Sequence, residues 1–392
     1  MSNAEGHQYL KSMNVLKGII LSIIVFGHML VIDRSGGGGE SSGGLPFIIQ
    51  ALYLGLMGYL ILSGYFYRPN RTFKENMIKR LKQIGIPLIV ASVTLPLILY
   101  IYLNILGYDL PISDYWISVL RNLGSYNSFV PYDQQVAVET VTFINYGAYF
   151  LTGMLWGFLI FYGLAKYVLD DWRKIIVTII ILLFLQVILV DYVQIKLPLM
   201  MKLGPIDAAF MFIGAWLAQH KFLENIEYGD RKNPWYWIVP IVCFIAGVGL
   251  CFLLPPNIKY DLYIYGDYGA ISVFPYFIEA TLMFVPIAYI GFLFSKIPGI
   301  SWFFDILGQH TLGTILLHPM IGKILVAAFG FTVTATEIVP GDVPMGTRLL
   351  IAFLSLIIPV LLCDLAPKLL NKLKAKREAS PDGEKGEPDP SP

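Results

Sequence analysis

Two ionisable residues, Lys17 and His28, stand eleven residues apart inside one apolar stretch, LKGIILSIIVFGH. On a helix, eleven steps of about 100° return a side chain to within roughly 20° of its starting direction, with a rise of about 16 Å. Both groups therefore share one face. Ionisable side chains in a membrane span are costly and ordinarily face a bundle interior or a water-filled cavity. An imidazole can titrate near neutral pH, as a base that removes the proton of a hydroxyl must. A plainer alternative stays open at this point: Lys17 snorkels to one interface while His28 sits near the other.

The elements that would position these residues are those of a membrane protein. Of 392 residues, 56% are hydrophobic and 14% charged, against about 25% charged in soluble domains. The mean hydropathy is +0.65, and the apolar residues gather into runs of about 18 to 25, the length a bilayer core requires of a helix. The fold class expected is all-α and polytopic, with about ten transmembrane helices. They fall at 13–32, 45–67, 84–106, 142–168, 175–193, 205–218, 235–254, 268–294, 312–331 and 349–365. The sixth is short, and Pro198, Gly204 and Pro205 predict a broken or tilted entry.

Lys and Arg set the orientation, because they are retained on the cytoplasmic side. With the N-terminus inside, one inner loop receives Arg68, Arg71, Lys74, Lys79, Arg80 and Lys82, and both termini are cytoplasmic. The longest outer loop, 107–141, carries Asp109, Asp114, Asp133 and Glu139 against Arg121 and reads as a surface cap able to cover an acceptor. Three regions follow: an N-terminal tail at 1–12 whose first four residues resemble an expression scar, a transmembrane domain at 13–370, and a disordered cytoplasmic tail at 371–392. The segment 35–44 is a Gly/Ser-rich linker.

Several function classes lose support. A net charge of +1 argues against a nucleic-acid partner. Cys243, Cys251 and Cys363 lie in apolar runs and read as small hydrophobes rather than metal ligands or disulfides. There is no His-Glu-x-x-His, phosphate-binding glycine loop or Gly-x-Ser-x-Gly elbow, and no metal is expected.

Five segments carry a family resemblance. They are Asn14-Val-Leu-Lys-Gly through Phe-Gly-His28, then Gly58-Tyr-Leu-Ile-Leu-Ser-Gly-Tyr65, and Lys79-Arg80 followed by Pro87. The last two are Phe212-Ile-Gly-Ala-Trp-Leu217 and Leu307-Gly-Gln-His-Thr-Leu-Gly-Thr-Ile-Leu-Leu-His-Pro319. In this order they are similar to the motifs of the acyltransferase 3 superfamily of membrane acyltransferases, especially its fucose 4-O-acetylase-like O-acetyltransferases. The chain departs from the pattern at Asn14, where Asp is usual, at Lys17, where many members have Arg, and at Met57, where Pro often stands.

The resemblance implies an acetyl-CoA-dependent O-acetyltransferase of the cell (inner) membrane, moving an acetyl or other short acyl group from cytoplasmic acyl-CoA to a hydroxyl of a sugar or glycan. His28 is then the general base, with direct transfer and a transient acyl-histidine both open. Lys17 and His318, the latter just before Pro319 in the ninth helix, are the further catalytic candidates; for His318 a hydrogen-bonded structural role is the alternative. Arg68, Arg71, Lys79 and Arg80 are the candidate ligands of the acyl-CoA phosphates, with plain positive-inside topology as the other reading. Ser63, Tyr65, Tyr149, Trp156 and Glu139 are candidate substrate contacts, although Ser63 with Gly64 suits close packing of the second helix on the first. The implied partners are a carbohydrate or glycan acceptor, acyl-CoA and membrane lipids; a homo-oligomer stays open. The rival reading is a transporter or flippase of a glycan or polar solute, since buried Lys and His also line translocation paths, but the paired inverted repeats it favours are not visible.

Overall fold

The computed structural model of the protein describes residues 3–30, 57–124, 146–189, 198–253, 273–333, 339 and 343–379. Among these the regular elements are all helices. In chain order they are α1 (Asn3–Leu30), α2 (Gly58–Tyr65), α3 (Phe73–Arg80), a π-helical turn (Leu81–Gly85) leading directly into α4 (Ile86–Ile105), and α5 (Ile112–Gly124). Next come α6 (Tyr146–Val168), α7 (Trp172–Val187), a 3-10 stretch (Pro198–Leu203) and α8 (Gly204–Gln219). The remainder is α9 (Phe222–Tyr228), α10 (Trp235–Leu253), α11 (Val273–Phe294), α12 (Pro298–Gln309), α13 (Thr311–Ala328) and α14 (Met345–Ala379).

Local chemistry explains the boundaries that matter to the site. Thr72 opens α3 with a capping box: its hydroxyl accepts from the Glu75 N–H at 3.3 Å, and its own N–H donates to the Glu75 carboxylate at 2.7 Å. Pro205 and Pro298 stand in the first turns of α8 and α12, where a missing N–H costs nothing, and Pro87 directly follows the π-helical turn. The entry to α8 is the 3-10 stretch, where the sequence predicts a broken one.

Seven of the described helical segments are long and apolar enough to cross a membrane: 11–30, 73–105, 150–168, 201–219, 273–294, 311–328 and 345–365. A shorter apolar helix covers 235–250. Of the other expected spans, the second is described only from residue 57 onward, and α7 has 16 residues. The chain is a polytopic, all-helical integral membrane protein. Two expected tails differ from the structure in their extent. α1 begins at Asn3, and α14 runs to Ala379, past residue 371. Residues 380–392 and the linker at 35–44 lie outside the described residues.

α5, within the loop read at 107–141, shows which solvent the surface meets. Its polar residues Asp114, Ser118 and Asn122 are buried at 3%, 3% and 4% exposure, while Ile112, Trp116 and Leu120 are 57%, 56% and 59% exposed. Both sets repeat every four residues, so the helix is amphipathic with its polar face inward. In water that arrangement would be unstable; against lipid it is the favourable one.

α1 packs against α11, α12, α13 and α14, and α8 against α2, α6 and α7. Glycines set the closest crossings, in reciprocal pairs. A methyl group on Gly18 would strike the Phe304 carbonyl of α12, and one on Gly308 would strike the Asn14 carbonyl of α1. Gly64 of α2 meets the Met211 carbonyl of α8 in the same way, and Gly214 the Ile61 carbonyl. Close approach of this kind is how helices associate where lipid removes the hydrophobic drive. Gly64, expected to pack on α1, thus makes its closest approach to α8.

Candidate active site

α1 and α13 lie side by side and bring the two histidines together. Nδ1 of His28 is 2.9 Å from Nε2 of His318, and Nδ1 of His318 donates to the Thr314 carbonyl, also at 2.9 Å. The rings are within 11° of parallel with centroids 5.2 Å apart. That separation equals the 2.9 Å bond plus one ring radius at each end, so the rings meet edge to edge in nearly one plane, along their nitrogen lone pairs. His318 is fully buried, and His28 is partly exposed.

Lys17 lies elsewhere. A rise of about 16 Å along α1 separates it from His28, and it sits 6.0 Å from the centroid of the Phe66 ring. Its charge and that of Arg80 are close enough to act on one another. Arg80 donates through Nε to the Tyr162 hydroxyl at 3.0 Å and lies 4.5 Å over the Phe158 ring. Among the described residues neither cation has a carboxylate within ion-pair distance. Arg68, Arg71 and Arg80 all act on Lys79, so the four expected phosphate ligands form one basic cluster. Arg68 and Lys79 are exposed, and Arg71 and Arg80 partly buried.

Beside this cluster a cleft of about 930 Å³ opens between the α2–α3 turn, α6 and α8. Tyr67, Arg71, Tyr162, Lys166 and Gln219 line it. Tyr67 and Tyr162 stack at 5.8 Å. The one acid in the lining, Asp170, accepts a 2.6 Å ion pair from Lys174, which holds its carboxyl below the usual carboxylate range. The cleft thus offers cations, amides and aromatic faces, a set suited to a phosphorylated nucleotide.

The remaining expected contacts fall into different surroundings. Ser63 donates to the Tyr59 carbonyl of its own helix at 2.7 Å. Tyr65 borders the cleft, but its hydroxyl donates to Glu224 and accepts from the Leu223 N–H at 3.1 Å, which fastens α9 to α2. Trp156 is half-buried and packs on Gly204 at the start of α8. The Tyr149 side chain and all of Glu139 lie outside the described residues. Asn14, the departure from the usual Asp, donates to Asp305 at 3.0 Å, and Gln309 donates to the same carboxylate at 2.9 Å. An acid at position 14 would face another acid there.

Sequence reasoning passed over Tyr162, Lys166 and Thr314. A signal existed for each: Tyr162 and Lys166 are four apart on one helix, and Thr314 is one turn before His318.

Residues 10–366 match the model of a family described as an acyltransferase domain, acyltransferase 3. No curated protein and no solved structure matches the chain. The chain therefore belongs to the acyltransferase 3 family and is a membrane acyltransferase, an enzyme with an acyl donor and an acceptor.

Proposed function

We propose that this acyltransferase moves an acetyl or other short acyl group from cytoplasmic acyl-CoA to a hydroxyl of a sugar or cell-surface glycan, with His28 as general base. The observation that carries the reading is a separation along α1: an imidazole pair near its C-terminal end and, with Lys17 at its middle, two mutually repelling cations with no carboxylate beside them among the described residues. A polyanionic donor would relieve that repulsion. Arg80 and Lys17 then hold its phosphates, Arg71 and Lys166 its nucleotide end, and Tyr67 and Tyr162 offer ring faces to the base. An extended pantetheine arm suits the roughly 16 Å rise along α1 to His28.

At that point the acceptor oxygen attacks the thioester carbonyl. The new C–O bond forms, the C–S bond breaks, the hydroxyl proton passes to the ring of His28, and the same proton is returned to the departing thiolate. The products are the O-acyl glycan and free CoA. The basic cluster lies on the cytoplasmic side under this reading, with both termini and about ten helices arranged accordingly. The inward polar face of α5, at the other end of α4 from the cluster, suits a hydroxyl-rich acceptor.

Purified protein should release free thiol from acetyl-CoA in the presence of a saccharide panel, and host-cell glycans should gain acetyl mass when it is expressed. A His28→Ala protein that folds and turns over like the wild type would overturn the assignment of the base.

A further inference from the structure

We propose that His318 is a positioning residue that fixes His28 in the one tautomer able to act as a base on substrate, and that its bond to the Thr314 carbonyl is what does so. The inference rests on the reading of His28 as base.

A carbonyl oxygen only accepts, so the 2.9 Å contact with Thr314 requires a proton on Nδ1 of His318. The Thr314 carbonyl thus holds the proton on Nδ1, and neutral His318 presents a lone pair at Nε2. That lone pair faces Nδ1 of His28 at 2.9 Å and must receive a proton from it. Nδ1 of His28 is then the donor, and Nε2 carries the lone pair that takes the acceptor's proton.

The near-coplanar rings make the same point geometrically, because an in-plane lone pair is reached edge-on. Once Nε2 of His28 is protonated, its Nδ1–H bond to His318 becomes charge-assisted, which stabilises the imidazolium while the C–O bond forms. The proton then leaves from Nε2 to the thiolate, and both rings return to their starting state. His318 neither gains nor loses a proton; its part is to orient and to select.

The test uses the full-length protein in lipid nanodiscs with ¹⁵N-labelled histidine, whose ring-nitrogen shifts separate protonated from unprotonated nitrogens. His28 is assigned by the signals lost in His28→Ala. Wild type should show His28 with Nδ1 protonated and Nε2 bare. His318→Leu should move that population toward Nε2–H and lower the kcat for thiol release from acetyl-CoA by about tenfold to 10⁴-fold, with KM for acetyl-CoA within about twofold because the cleft is untouched. His318→Gln, whose amide oxygen can accept from Nδ1–H, should recover part of kcat. A wild-type His28 carrying its proton on Nε2, or a folded His318→Leu protein with unchanged kcat, overturns the proposal and leaves the base assignment standing. Should His318→Leu not fold, the wild-type spectrum and His318→Gln still decide. Undiminished turnover by His28→Ala would instead remove the base reading itself.

Discussion

Around His28 the described polar atoms form a chain within the fold itself, imidazole to imidazole to carbonyl. Around Lys17 and Arg80 the molecule does the reverse and gathers cations over aromatic rings with no described carboxylate to balance them. The contrast separates two kinds of site on one bundle. A hydrogen-bond chain within the fold sets reactivity. A cluster of like charges is destabilising until an anion arrives, so it stores selectivity for what binds.

The largest effect expected from breaking this contrast is at the hydrogen-bond chain. His28→Ala should lower kcat by about 10²- to 10⁴-fold, measured as thiol release, with the yield of folded protein unchanged because the residue is partly exposed. Next is the frame both sites share. Gly308→Ala places a methyl group against the Asn14 carbonyl and should destabilise the fold by roughly 1–3 kcal/mol, read as a drop in the thermal midpoint in detergent. At the open site, Arg80→Ala should raise KM for acetyl-CoA by about tenfold with a smaller change in kcat, as loss of a charged hydrogen bond predicts. The wild-type KM should rise with salt, since partly exposed cations are screened. Smallest is Lys174→Ala: its pair with Asp170 is exposed and screened by solvent, and the thermal midpoint should barely move. A large loss of acetyl-CoA affinity there would show that Asp170 must be neutralised for the donor to enter.

Much of this was legible in the residues. Helical arithmetic put Lys17 and His28 on one face of a buried helix, and the motif blocks that suggested the family turn out to hold the crossing glycines, Gly18, Gly64, Gly214 and Gly308. What could not be read was pairing in space. Nothing local says that Gly64 packs on α8 rather than α1, or that the Tyr65 hydroxyl is taken by Glu224, 159 residues away. The direction of α5 was hidden for a different reason: an amphipathic period is the same whichever face turns inward, and only the surrounding solvent decides. Lys17 and Arg80 were each found separately, but their convergence depends on how α3 is rotated against α1.

That rotation has a local cause. The π-helical turn at Leu81–Gly85 adds a residue to one turn of an otherwise continuous helix from Phe73 to Ile105. One residue is about 100° of phase, so the half bearing Arg80 is turned by that amount relative to the half that α4 presents to its own neighbours. Each half can thus satisfy a different set of contacts within one rod. Loss of a single residue from that turn would restore a uniform pitch and swing the guanidinium away from Tyr162 and Phe158, disabling the charged end while every residue touching the donor keeps its identity.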